Sequence, residues 1–275
     1  MQIFGREDLA EALRGLGLAA GDGVFVHTAL GRIGHVIGGP RGLIEALSDA
    51  VGPEGLIGMP GFSKDAYDPC ELRDTGLDAL AAERVRAQVP GFDPARSNVL
   101  ENGQVPEAFR TWPGVVRSAH PTSSVLLLGP EAAQLAEPHD PSGWATGPAT
   151  PWGRLRARAA MKILLIGVGW NRCSALHAAE SLAGHRRLKL RRFKSGPGDA
   201  PWVTAPDVAD DLDRLFPLVG AAWEAAGGVT FGKIGLAEAR LTGYAELLEF
   251  ATRWIDRRNA ADGVPEIDDA GVLPR

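Results

Sequence analysis

Residues Lys162–Leu182 read KILLIGVGWNRCSALHAAESL, an apolar run, a glycine turn and a helix-forming segment in that order. Ile163–Ile166 has the length and flanks of a buried strand. Gly167 and Gly169 end it and leave room for a close backbone approach. Ser174 stands at the N-cap position and Ala175–Leu182 are good helix formers, so His177 falls in the first helical turn. Glu180 shares its face.

Residues three apart on a helix meet, and a carboxylate there can hold an imidazole in one orientation and tautomer. The positive helix N-terminus disfavours imidazolium while Glu180 favours it, and opposed effects of this kind keep a histidine near neutrality, where a general base works. The same spacing also fits a half-buried histidine that only hydrogen-bonds its neighbour. Cys173, four residues before His177 at a helix start, can be read as a nucleophile or as a small residue filling a tight turn.

Working outward, Glu7–Leu16 is an amphipathic helix with Leu9, Leu13 and Leu16 at helical spacing, and Val24–Thr28 is a β-branched and aromatic strand. Leu30–Pro40, with four glycines and a proline, reads as loop. Leu43–Val51 reads as helix and Leu56–Met59 as strand. Two strands around a helix predict a βαβ unit, hence an α/β fold with a mostly parallel central sheet flanked by helices. Ligands gather at the carboxyl ends of such strands, which places His27, Thr28 and the following loop on the functional edge; the alternative for His27 is a buried strand histidine.

Residues 61–114 break into short pieces such as Leu77–Arg86 between prolines. This segment is expected to be a loop-rich helical insertion covering one sheet edge, like a lid, within a single domain of residues 1–275. Asp65, Asp68, Asp74, Asp78 and Asp93 make it acidic, a face that is solvated or, over a pocket, attracts a polyamine. Arg117, Ser118, His120 and Ser123 crowd before a strand at Ser124–Leu128, suited to a phosphate or to loop backbone. After Leu182, His185–Lys194 alternates Leu188 and Leu190 with Arg187, Lys189 and Arg191, an edge-strand pattern. Asp207–Phe216 and Leu236–Trp254 read as two further helices.

The 275 residues suffice for a sizeable core, and 45% apolar with 23% charged residues is ordinary for a globular chain. A net charge of −5 argues against nucleic acid as a partner. No run of about 18 apolar residues exists, so no membrane span is expected. Cys70 and Cys173 form no disulfide framework, and a reducing cytoplasm is the default. Gly167-Val168-Gly169 lacks the third glycine of a dinucleotide fingerprint, and no HExxH, paired CxxC, P-loop or GxSxG occurs.

The segments VFVHTALGRIG, GLIEALSDAVGPEGLIGMP, FDPARS, VPEAFRTWPGVVRSAHPTSS, TPWGRL, KILLIGVG, SALHAAE and GKIGLAEARL run in order across nearly the whole chain, and together they resemble the aminoglycoside 3-N-acetyltransferase family. This family is unrelated in fold to the GNAT acetyltransferases. The resemblance implies acetyl transfer from acetyl-coenzyme A to the 3-amine of an aminoglycoside, conferring resistance, without a metal. His177 would be the general base, Glu180 its orienting carboxylate and Ser174 a stabiliser of the thioester oxygen. Coenzyme A would bind along His27, Thr28, Ala29 and Leu30 and along Arg117, Ser118, His120, Ser123 and Ser124. Asp65, Asp68 and Asp140 would hold the ammonium groups that do not react. The chain departs from the family between strand and helix, where GHDSNTS is replaced by residues Gly169–Ala175 with Trp170 and Arg172. Two other acceptor readings stand beside this one: a different amine such as a biosynthetic intermediate, and a catalytically inactive relative that binds a cation. A monomer or a homodimer is expected.

Overall fold

The computed structural model describes residues 2–72, 76–208 and 214–267. β1 (Ile3–Phe4) leads into α1 (Arg6–Leu16), whose Leu9, Leu13 and Leu16 are buried as their spacing requires, and β2 (Gly23–Thr28) follows. The stretch expected as loop after it instead holds a one-turn helix, α2 (Leu30–Ile33), and a short strand, β3 (His35–Val36), that pairs with β1. Ile33 and Val36 are buried and fasten this segment to the core, which its glycine content concealed. α3 (Pro40–Val51) and β4 (Leu56–Pro60) complete the first crossover.

Residues 61–114 carry α4 (Pro69–Leu72), α5 (Ala79–Arg86), a 3₁₀ turn at Leu100–Asn102 and α6 (Gln104–Arg110). Asp74 lies outside the described residues. β5 (Val116–Arg117), β6 (Val125–Leu128), α7 (Ala132–Ala136) and α8 (Pro151–Ala157) lead to β7 (Met161–Ile166), a 3₁₀ turn at Trp170–Arg172 and α9 (Ala175–Leu182). β8 (Leu188–Lys194), β9 (Trp202–Val208), α10 (Leu215–Ala225), β10 (Thr230–Ile234), β11 (Ala237–Gly243) and α11 (Tyr244–Ala261) finish the chain.

Among the described residues the main sheet has the order β10-β11-β7-β2-β4-β6-β5. Only β7 with β2 and β2 with β4 run parallel; the other neighbours are antiparallel. The sheet is therefore mixed, not mostly parallel. The reason lies in its connections: β5 with β6 and β10 with β11 are hairpin partners, and hairpins can only pair antiparallel.

Helices cover both faces. Val24 and Val26 of β2 join Leu9, Leu13, Leu43, Ile44 and Phe109 in one apolar cluster. Phe25, one residue out of phase, joins Trp152, Leu176, Leu247 and Leu248 in the cluster on the opposite face. Trp152 pins this second layer: its indole N–H donates to the Ser123 carbonyl at 2.9 Å, and its ring lies 5.1 Å from Phe25 and 6.0 Å from Phe62.

Two expected helices are corrected. β9 runs through Asp207 and Val208, and the helix expected at Asp207–Phe216 begins only at Leu215. The helix expected at Leu236–Trp254 is a strand up to Gly243 and a helix after it, because Ala237, Ala239 and Leu241 alternate inward against β7. In the β8–β9 hairpin Leu188 and Leu190 face out, Leu190 at 62% exposure, while Arg191 turns toward the cavity and Phe193, on the same face as Arg191, is buried.

Candidate active site

β2 and β7 end side by side, with His27 opposite Leu165 and Thr28 opposite Ile166. Just beyond these carboxyl ends opens a cavity of about 500 Å³, lined among others by His27, Thr28, Ala29, Ser174 and His177. Gly167 makes the exit from β7 at φ 65°, a left-handed conformation, and a Cβ there would also press on Arg32 at 2.9 Å. The chain then turns through Trp170–Arg172 and enters α9, which brings His177 to the cavity wall.

His177 Nδ1 lies 2.8 Å from Glu180 Oε2. Glu180 is buried, and the Phe216 ring meets the imidazole edge-on at 4.8 Å. The Thr146 hydroxyl donates to the His177 carbonyl at 3.0 Å. The imidazole is thus held by a carboxylate, an aromatic edge and its own backbone. Because a carboxylate can only accept, Nδ1 carries the proton, and Nε2 of the neutral ring carries the lone pair. Ser174 holds the N-cap position but its hydroxyl caps no helix N–H, and it lines the cavity.

His27 and Thr28 form the polar floor. His27 Nε2 and Thr28 Oγ1 are buried without a hydrogen-bond partner among the described residues. Burial foremost, and the nearby His177 second, push the His27 pKa down to about 3, so this ring stays neutral at working pH. Ala29 also lines the cavity; Leu30 packs against the core instead.

In the loop from Arg117 to Ser124 most polar side chains have partners within the protein. Arg117 donates to the carbonyls of Ser97 at 2.5 Å and Gly61 at 2.6 Å and sits over the Phe92 ring, and its burial lowers its pKa to about 10. Ser118 Oγ is 2.9 Å from His139 Nδ1, His120 stacks on His139 at 4.6 Å, and the Ser124 hydroxyl donates to the Gly61 carbonyl. None of these, nor Ser123, is among the cavity-lining residues, whereas Thr122 from the same loop is.

The three aspartates expected near the acceptor are engaged elsewhere. Asp65 accepts from the Asn98 side chain at 3.3 Å, and Asp140 accepts from the Ser142 hydroxyl at 2.7 Å. Asp68 is fully buried, 2.8 Å from Arg86 Nε and 3.4 Å from Arg192 Nη1. They are likewise absent from the lining, which takes its charges from Lys64, Glu101, Arg172 and Arg191. Sequence reasoning missed Lys64, Glu101, Tyr67 and Arg191, since they reach the cavity from three distant segments and share no motif. Among the described residues no group of three or more His, Cys, Asp or Glu is placed to hold a metal ion.

Cys173 is completely buried, and burial foremost pushes its thiol up to about 12, the opposite of an activated nucleophile. The variant Cys173→Ala is expected to keep most of the turnover, and mass spectrometry of the enzyme during turnover should find no acylated cysteine.

Three buried histidines are expected to make the fold acid-labile. Burial lowers His27 to about 3, His139 to about 4 and His120 well below its ordinary value. Each binds a proton more readily when unfolded, so its contribution is complete above a pH of about 6.5 and is lost as pH falls toward the folded value. Between pH 6 and 5 stability should drop by about 1 kcal/mol for each such histidine. Urea unfolding at stepped pH checks this; a midpoint that does not move over this range would contradict it.

A family model described as aminoglycoside 3-N-acetyltransferase matches residues 25–256. The chain is 34% identical to the aminoglycoside N(3)-acetyltransferase III of Pseudomonas aeruginosa, covering 91% of this chain and 93% of that one. It is 35% identical to the aminoglycoside N(3)-acetyltransferase VIII of Streptomyces fradiae, over 92% of each. Among solved structures, the binary complex of AAC-IIIb with CoASH superposes with a TM-score of 0.83 at 30% identity, covering 94% of this chain and 98% of that one. AAC-VIa bound to sisomicin superposes with a TM-score of 0.82 at 33% identity, covering 94% and 99%.

Proposed function

The chain belongs to the aminoglycoside 3-N-acetyltransferase family, and on that premise we propose that it moves an acetyl group from acetyl-coenzyme A to the 3-amino group of an aminoglycoside. The observation that carries this reading is the His177–Glu180 pair at 2.8 Å on the wall of a cavity at the ends of β2 and β7.

Acetyl-coenzyme A supplies the acetyl group already activated as a thioester. The residues present fit such a carrier: His27 Nε2 and Thr28 Oγ1 are buried polar atoms without partners among the described residues, and the Ser63 hydroxyl and the Lys64 ammonium, ion-paired with Glu101, add polar groups to the same wall. These four are the residues that would hold it. An amine attacks only as the free base, so the work left to the protein is to take a proton and to orient. His177 Nε2 accepts the proton of the attacking amine as the C–N bond forms, and the imidazolium would return it to the coenzyme A thiolate released when the C–S bond breaks. Glu180 fixes the tautomer that leaves Nε2 basic and stabilises the imidazolium that results. The hydroxyl of Ser174, which caps no helix N–H and lines the cavity, is available to donate a hydrogen bond where negative charge develops on the acyl oxygen.

The test is turnover of acetyl-coenzyme A against an aminoglycoside panel, followed as free thiol, with the acetylated position of the product located by NMR. Acetylation at the 3-amine is the expected result; acetylation only of unrelated amines, or binding without thiol release, would overturn the reading.

A further inference from the structure

Among the described residues three lysine and arginine side chains line the cavity, and two of them are neutralised. Lys64 Nζ lies 2.7 Å from Glu101 Oε2, and Arg191 is ion-paired with the buried Asp207. The Arg172 guanidinium has no carboxylate, carbonyl or aromatic partner among the described residues.

Its position is nevertheless fixed by its neighbours. Trp170 is buried, and its indole N–H donates at 2.7 Å to Glu224, which also binds Arg240 at 2.7 Å. Its ring occupies the space over Gly220 so closely that a Cβ there would lie 2.0 Å from it. On the other side Cys173 is buried, and its N–H donates to the Trp170 carbonyl at 2.9 Å. Anchored at both ends, the turn can only present Asn171 and Arg172 outward, and both line the cavity.

Arg172 stands five residues before His177, a span of about 8 to 10 Å in helical turns. It is therefore close to the reacting centre, whereas the phosphates of a coenzyme A lie at the far end of its pantetheine arm. An unpaired guanidinium near the acceptor repels any ammonium brought beside it, and specificity is often built from such a repulsive element. We propose that Arg172 determines acceptor specificity: among aminoglycosides, the site selects those that present a hydroxyl, in place of an ammonium, to the turn Trp170–Arg172. This rests on the function proposed above and narrows it.

The experiment compares acceptor pairs that differ by one hydroxyl and one amine, kanamycin A with kanamycin B and paromomycin with neomycin. It uses the wild type, Arg172→Gln and Arg172→Lys. Steady-state kinetics is joined by calorimetric binding of each antibiotic to the free protein. In at least one pair the wild type should favour the hydroxyl member, and Arg172→Gln should shift the ratio of kcat/KM toward the ammonium member about tenfold, with a matching shift in Kd. Arg172→Lys should keep the wild-type ratio, and KM for acetyl-coenzyme A should not move. An unchanged ratio in both pairs, or a rise in the acetyl-coenzyme A KM in Arg172→Gln, would overturn the assignment while leaving the acetyltransferase reading intact. A wild type that acetylates no aminoglycoside but does acetylate another amine would overturn the functional reading, and this one with it.

Discussion

His177→Ala is expected to lower kcat for acetyl transfer by about a thousandfold while leaving the affinity for coenzyme A, read by calorimetry, unchanged. The size follows from the role: proton transfer by a positioned side chain contributes about 10²- to 10⁴-fold, and this imidazole is positioned by Glu180, Phe216 and Thr146. The pattern follows from the reaction. A base that acts on the attacking amine contributes in the transition state and little in the ground state, so kcat and kcat/KM fall together and KM for the carrier does not change. Equal loss of carrier affinity and rate would reassign His177 to binding.

Trp152→Ala is expected to be the most damaging single change away from the cavity, costing about 3–5 kcal/mol. Trp152 is fully buried, stacks between Phe25 of β2 and Phe62, and its N–H satisfies the Ser123 carbonyl. Truncation leaves a void that the rigid sheet cannot fill and a carbonyl without its donor. For a chain of this size the midpoint of thermal unfolding should fall by about 10 °C. The exposed Leu218→Ala serves as control, with an effect of about 0.5 kcal/mol or less. Since Phe62 lines the cavity, the weakened variant should also bind coenzyme A less tightly at temperatures where it remains folded.

What the sequence made legible was local. Helix α1, strands β2, β4 and β7 and the entry to α9 follow from apolar spacing and breakers within about ten residues, as does the meeting of His177 with Glu180 three positions on. What it hid depends on partners far along the chain. The stretch AEARL is composed of helix formers, yet Ala237, Ala239 and Leu241 are drawn into a strand by the open edge of β7. The direction of β6 and β11 in the sheet is set by hairpins that composition does not announce. The basic strand β8 alternates as expected, but the Asp207 carboxylate opposite it turns Arg191 toward the cavity and leaves Leu190 outside. The aspartates chosen for their charge illustrate the same limit: Asp68 is consumed by two arginines, one of them 124 residues away.

The seam between β2 and β7 also sets when the protein can begin to work. Gly23 pairs with Met161 and Thr28 with Ile166, so the two walls of the cavity are joined by contacts across half the polypeptide. During synthesis β2 can pair early with β4, but its other flank stays open until β7 has left the ribosome. Such distant pairing is slow to form, and the exposed edge of β2 is in the meantime a template for misassembly. A nascent chain ending before β7 should therefore be both inert and aggregation-prone, and release of β7 with α9 behind it is the step at which the two walls of the cavity can first close.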